Sequence, residues 1–323
     1  MNDIDLINLV QNSNRGGFTQ LNQHSLILNH TSKLLLDENL NPRKYKSGVL
    51  VSCINTYDLN SNYASAMCEP LPFGNFKKLT DENEIRDLIN SLKNNKIDFQ
   101  KNKTGYYLHI SLKKNSIQVQ DQTDEFPFAI EKKDILFKQL GPYTKEKFDP
   151  NQFDPNLKFK RLIGHHFEKH SYFLEAETLQ QCLYHGLILG EVFNVYSYNQ
   201  EPFLKDFIIK NIELRKQSKC KMESDLFKLC NNSIFGKTLT NVLHYSTYTV
   251  LCLNKKSFIK YISSPYFINY TVIHENKIIV TMRKRKINFD YPSYIGFSVL
   301  EKSQRYMKHV YYDIIKVVLQ DNF

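Results

Sequence analysis

Between Pro202 and Leu239 two helical patterns stand back to back, the first from about Pro202 to Cys220 and the second from Met222 to Leu239. Helices joined by so short a link pack as antiparallel neighbours. In the first, Leu204, Ile208 and Ile212 form an apolar stripe, which Arg215 and Lys219 continue as i, i+4 neighbours. In the second, "KLCNNSIFGK" (Lys228–Lys237) sets two asparagines, a serine and a glycine inside the helix, and all are poor helix formers. Lys228, Asn232 and Phe235 fall at i, i+4 and i+7 on one face, with Lys221 on the same line one heptad earlier. The pair would aim several cations at one point. Arg and Lys both grip phosphate oxygens, so a triphosphate suits it. Asn232, Ser233 and Gly236 are small enough to let a base pair approach. An ordinary basic solvated helix face is the other reading of Arg215 and Lys219.

Upstream, "GVLVSCINTYD" (Gly48–Asp58) is an apolar, β-branched run that reads as a buried strand ending in an aspartate. A magnesium ion takes one or two carboxylates plus substrate phosphates, and a strand-end aspartate suits it. A helix cap or turn residue is the commoner use of such an aspartate. "SNYASAMCEP" then reads as a short helix stopped near Pro70. Residues 1–48 are polar and loop-rich. Asp81–Asn95 is an amphipathic helix with Ile85, Leu88, Ile89 and Leu92 on one face, and Gly105–Lys114 is a strand. Residues 115–160 read as a long surface excursion. Ser171–Leu189 begins as a strand and becomes a helix ended near Gly186. "TYTVLCL" and "KIIVTMRKRKINF" are strands, and "GFSVLEKSQRYMKHVYYDIIKVVLQ" is a long helix. Without regular βαβ alternation the class is α+β.

Lysine and arginine exceed the carboxylates to give a formal charge of +10, which suits a polyanionic partner, nucleic acid above all. A proteome rich in Lys and Asn would give the same balance with no partner. The cysteines form no CxxC pair and read as reduced intracellular thiols. No signal peptide and no apolar run of transmembrane length stand in the chain, so a soluble intracellular protein with no membrane partner is expected, its compartment open. "GHHFEKH" (Gly164–His170) has histidines at metal-like spacing but no HExxH order, so surface histidines are expected rather than zinc ligands.

Three stretches, in this order, resemble the family B DNA polymerases: "RGGFT" (Arg15–Thr19) its Gly-Gly linker motif, "DLNSNYASAM" (Asp58–Met67) its motif A, and "KLCNNSIFG" (Lys228–Gly236) its motif B. The longer string "NIELRKQSKCKMESDLFKLCNNSIFGKTLTNV" (Asn211–Val242), with Ala66–Leu79 and Pro292–Ser303, is similar to the protein-primed enzymes of Maverick/Polinton elements and of viral and organellar plasmids. The resemblance implies a palm with a mixed sheet and packed helices, helical fingers and β-rich insertions. It divides the chain into linker and palm with motif A (1–99), an insertion (100–172), fingers with motif B (173–243), and a second insertion with a palm helix (244–323).

It also implies roles. Asp58, with the Leu59 carbonyl, would hold the catalytic metals, two Mg2+ ions with Mn2+ able to substitute. Tyr63 would stack under the deoxyribose and exclude a 2′-hydroxyl. Lys228, Arg215 and Lys219 would hold the triphosphate of an incoming dNTP, and Asn232, Ser233 and Gly236 would line the nascent base pair. Arg15, Gly16 and Gly17 would touch the template backbone of a DNA primer-template. On the strand Met282–Phe289, Arg283 and Arg285 would share one face and track duplex phosphates, with salt-dependent binding. A charged edge strand that resists aggregation is the alternative there. A terminal protein primer, or a second chain, would be a further partner.

The sequence departs from the pattern in places. Phe235 stands where Tyr is usual, Asn62 where Leu is usual, and His109–Leu112 reads "HISL" where the family has "EVDL". The Asp-Thr-Asp of motif C is not found, and the chain reaches Phe323 where that hairpin would begin. Asp313 and Asp321 match no metal ligand of the family. The expectation is therefore a palm-and-fingers portion that extends primers negligibly by itself. A catalytically inactive remnant, or one half of a split enzyme, that binds DNA or dNTP is the alternative.

Overall fold

The computed structural model describes residues 3–18, 58–146, 158–240, 246–274, 277–288 and 291–318, so the strand expected over Gly48–Asp58 lies, save its final aspartate, outside the described residues. In chain order the elements are α1 (Ile4–Asn12), α2 (Asn62–Met67), β1 (Leu71–Lys78), α3 (Glu82–Lys93), β2 (Thr104–Leu112), α4 (Ile117–Thr123), β3 (Glu131–Leu136), α5 (Pro142–Lys145), β4 (Lys158–Ile163), β5 (Lys169–Glu175), α6 (Ala176–Tyr184) and β6 (Leu189–Glu201). There follow α7 (Lys205–Gln217), α8 (Lys221–Thr238), β7 (Thr247–Cys252), α9 (Lys255–Ile262), β8 (Phe267–His274), β9 (Lys277–Arg283) and α10 (Ser293–His309). The last helix continues through a π-helical stretch, Val310–Ile315, into α11 (Lys316–Val318).

A four-stranded antiparallel sheet in the order β1-β6-β2-β5 forms the centre. Alternate residues of a strand face opposite sides. Leu108, Ile110 and Leu112 of β2 therefore join Leu174 and Val195 under α3 and α6, while Tyr107 joins Phe173, Tyr196 and Tyr198 under α1 and α10. Helices thus cover both faces, and the α+β class holds. A two-stranded sheet (β3-β4) and a three-stranded sheet (β7-β9-β8) complete the strands among the described residues.

α10 crosses the interior. Phe297, Ser298, Val299, Leu300, Glu301, Lys302 and Ser303 are all buried in succession, so this helix is enclosed on every side rather than on one stripe. Its polar members need partners there, and they find them in ion pairs described below. No helix among the described residues is long and apolar enough to cross a membrane.

Several expectations need correction. Within 115–160, residues 117–130 are not a surface excursion: Val119, Phe128, Ala129 and Ile130 are core residues, and Phe128 stacks on both His185 and Tyr312. Residues 4–12 form a helix whose Leu6 and Val10 are fully buried. The central strand β6 had no clear signal, because its burial alternates over only part of its length. β9 ends at Arg283, so Arg285 shares no strand face with it; its guanidinium lies over the Tyr266 ring, 5.1 Å from the centroid. The helix expected near Ser171–Leu189 ends where Gly186 adopts φ +87°, a conformation that glycine tolerates best.

Candidate functional site

α7 and α8 form the helical hairpin that the sequence announces. Their contact is fixed by a buried pair, Asn211 Nδ2 donating to Asn231 Oδ1 at 2.8 Å, and by Arg215 Nε donating to Ser224 Oγ at 3.3 Å. The Leu204, Ile208 and Ile212 stripe packs with Ile234 and Phe235 against Ala64, Ala66 and Met67 of α2. α7 ends at Gln217, so Lys219 is not a helical neighbour of Arg215; it lies in the link, where its backbone N–H donates to Glu223 Oε2 at 3.0 Å.

On α8 the two faces separate cleanly. Asn231, Ile234, Phe235 and Thr238 turn inward, whereas Lys228, Asn232, Ser233 and Gly236 are exposed. Phe235 therefore does not share the outward face of Lys228 and Asn232. Its ring stacks on Tyr63 of α2 with centroids 4.4 Å apart and planes 19° from parallel. The Ser233 hydroxyl donates to the Leu229 carbonyl at 2.7 Å, as mid-helix serines often do. A Cβ built on Gly236 would meet nothing within 4 Å among the described residues. Glycine inside a helix costs about 1 kcal/mol relative to alanine, and nothing among the described residues demands it here.

Asp58 is exposed at the start of the described stretch, with Leu59 half-buried beside it. The chain then turns sharply through Ser61, which takes φ +56° and ψ +36°, and enters α2. A serine in the left-handed region is uncommon, and such strain collects at functional turns. The hairpin that packs on α2 is basic: residues 205–238 hold eight lysines and arginines against four carboxylates.

One network of charged residues that sequence reasoning did not single out holds α10 in place. Lys302 Nζ lies 2.8 Å from Glu177, 3.7 Å from Glu69 and 3.8 Å from Glu175, and Arg305 lies 2.7 Å from Glu69 and 3.3 Å from Glu177. Burial pushes the Glu175 carboxyl up to about 7, against the pull of Lys302, and the Tyr198 hydroxyl donates to it at 3.2 Å. The surrounding carboxylates hold the Lys302 ammonium above its ordinary value although burial opposes them. The one hint in the sequence was the charged run "EKSQR" directly after the apolar "FSVL" of the same helix.

Arg15 is the clearest correction. Only 5% exposed, it pairs with Glu301 at 2.9 Å, donates to the Phe173 carbonyl at 2.6 Å and lies over the Tyr172 ring at 4.1 Å. Its guanidinium cannot reach a template backbone from there. Gly16 and Gly17 are exposed, and Gln304 Nε2 donates to the Arg15 and Gly16 carbonyls at 2.7 and 3.1 Å. Arg283, at the end of β9, is exposed. The histidines of Gly164–His170 go to separate partners: His165 to Glu131 at 2.7 Å, His166 to Asn115 at 3.1 Å, and His170 faces solvent. The first two are thus half-buried and bonded rather than free on the surface. A cavity of about 520 Å3 lies elsewhere, between α1, β3 and the sheet at His109, Ser171 and Asn194; Arg15 is the one expected site residue that lines it.

No protein-family model matches the sequence, and no curated protein matches it. Among solved structures the chain is similar to Phi29 DNA polymerase complexed with primer-template DNA and incoming nucleotide substrates, at 16% identity over 96% of this chain and 41% of that one, with a TM-score of 0.45. The post-translocation complex of Phi29 DNA polymerase with primer-template DNA gives 15% identity over 96% and 40%, also with a TM-score of 0.45. An orthorhombic crystal form of the same polymerase gives 14% over 79% and 35%, with a TM-score of 0.44. The chain spans about two fifths of the length of the first two.

Proposed function

We propose that this chain carries the incoming-nucleotide face of a DNA-directed DNA polymerase of the protein-primed family B type. The observation that supports this best is the Tyr63–Phe235 stack. It joins the two motifs that the sequence singled out, and beside it runs an outward stripe of Lys228, Asn232, Ser233 and Gly236 with no packing duty. In this reading the sugar of a dNTP rests on Tyr63, its base stands over the bare helix at Gly236, and its triphosphate meets Lys228 and Arg215. Lys219, in the link after α7, adds charge through its exposed side chain.

Asp58 and the Leu59 carbonyl are oxygen donors at an exposed turn, which is the donor chemistry magnesium takes together with substrate phosphates. Magnesium bound there would supply charge neutralisation for the triphosphate. The basic surface suits a primer-template, with the glycines after Arg15 and with Arg283 as further contacts. Residues 173–243 act as fingers, and 1–99 with the last helix as palm. A terminal protein primer, or a second chain, is a further partner in this reading.

The test is a pair of titrations of the 323-residue chain in Mg2+, one with a fluorescent dNTP in the presence of primer-template, the other with primer-template alone. Lys228→Ala is expected to raise the dNTP Kd about tenfold, a change of ~1.4 kcal/mol, while the DNA Kd moves less than about twofold. Equal losses in both, or no dNTP binding by the unmodified chain, would sink the reading.

A further inference from the structure

We propose that Asn62 and Glu69, at the two ends of α2, are positioning residues that keep the Tyr63 ring on Phe235 by tying α2 to α10. The proposal deepens the nucleotide-site reading and rests on it for its functional meaning.

α2 has six residues, far below the ~12–15 at which an isolated helix becomes even marginal. It is entered through the left-handed Ser61, and its N-cap makes no side-chain hydrogen bond. Something outside the helix must therefore hold it, and the contacts fall at three points. At the first residue, Asn62 Nδ2 donates to the Ser303 carbonyl at 3.2 Å. In the middle, Ala64, Ala66 and Met67 pack in one cluster with Val299. Just past the end, Glu69 Oε2 accepts from Arg305 at 2.7 Å and from Gln100 Nε2 at 2.9 Å, with Lys302 at 3.7 Å.

Ser303, Lys302, Arg305 and Val299 all belong to α10, which is the enclosed helix of the fold. The apolar contacts, to Val299 on one side and to the α7–α8 hairpin on the other, are non-directional and do not by themselves fix the rotation of so short a helix. Polar contacts at both ends do fix it, since each demands one direction. Tyr63 follows Asn62 directly, so the angle of its ring is set by the first of these contacts. A leucine at position 62 would pack but would make no bond to the Ser303 carbonyl. Losing Glu69 leaves Lys302 and Arg305 still paired with Glu177, so the interior keeps its charge balance.

The chain contains no tryptophan, which makes a local reporter simple. Tyr63→Trp gives a lone tryptophan at the stack, excited apart from the tyrosines, and Phe235→Trp gives a second reporter from α8. In either background, Asn62→Ala or Glu69→Ala is expected to raise acrylamide quenching about threefold and shift emission to the red, as a half-buried ring gains solvent. Glu69→Gln should restore most of the protection, since its amide oxygen still accepts from Arg305. Far-UV melting of the whole chain should hardly move. Unchanged quenching in both backgrounds, or quenching that rises only in step with global melting, would overturn the proposal and leave these contacts as ordinary stability. Absence of dNTP binding by the unmodified chain is a separate outcome. It would remove the nucleotide reading, while the quenching result would still decide whether α10 sets the ring.

Discussion

The Asn211 carboxamide donates to the Asn231 oxygen across 2.8 Å, with both side chains buried between α7 and α8. Its neighbour Asn232 is exposed. One step along the helix therefore separates a residue that holds the hairpin together from one that faces outward with nothing to hold.

The two asparagines should answer to different measurements. Asn231→Leu strands the Asn211 amide and is expected to cost about 1–3 kcal/mol in urea unfolding. Replacing both by leucine should recover much of that loss. Asn232→Ala should leave stability within about 0.5 kcal/mol, since it is a surface change. Its effect should fall on dNTP affinity. A large stability loss at Asn232 would contradict the assignment of faces.

Gly236→Ala should separate folding from binding. The new methyl meets nothing among the described residues, so the helix should gain up to about 1 kcal/mol. If a base approaches the helix at this point, dNTP affinity should fall while the melting temperature rises. A rise in both would show that the glycine has no ligand to accommodate.

Arg15 offers a test of burial against surface charge. Arg15→Met leaves the Glu301 carboxylate buried without its cation, at a cost of about 3–5 kcal/mol. The double variant Arg15→Met with Glu301→Leu should regain most of this. DNA affinity of the folded protein, measured across a salt series, should keep its slope in the double variant. A slope shallower by about one would put Arg15 on a phosphate after all.

Two buried lysines should give the protein an alkaline rise in stability. Burial holds the ammonium groups of Lys169 and Lys308 down to about 8. The ordinary lysine value is 10.5, so between pH 8 and about 10 the unfolded chain keeps protons that the fold has shed, and stability increases with pH. Below pH 8 both states carry the charge and the lysines' contribution to the slope vanishes. Above about pH 10 the buried tyrosines oppose the trend, because the unfolded chain ionises its tyrosines first. Denaturant midpoints at pH 8 and pH 10 should differ by on the order of 1 kcal/mol per lysine, and Lys308→Met should remove its share. A flat profile in the unmodified chain would count against this pair.

Much of the architecture around the candidate site was legible because it is local. The spacing of Leu204, Ile208 and Ile212 gives an amphipathic helix wherever the chain lies, and "KLCNNSIFGK" defies propensity whatever surrounds it. The same holds for α3, for β2, and for the strand-to-helix change before Gly186. Each depends on periodicity or backbone preference, which are properties of neighbours in sequence. Local pattern could not show that Arg15 turns inward. A basic residue before two glycines reads as surface, and only the carboxylate of Glu301, far along the chain, makes its burial affordable in free energy. Nor could it tell Asn231 from Asn232, since the difference is which one meets Asn211. β6 and the buried segment at 117–130 were missed for a like reason: their burial comes from strands and helices that arrive from elsewhere. The sequence by itself determined the helical hairpin, the α+β class and the candidate residues on α8, because period and composition act over a few residues. Only the tertiary structure decided that Tyr63 stacks on Phe235 and that α10 holds α2 from both ends, because a six-residue helix has no orientation until distant partners give it one.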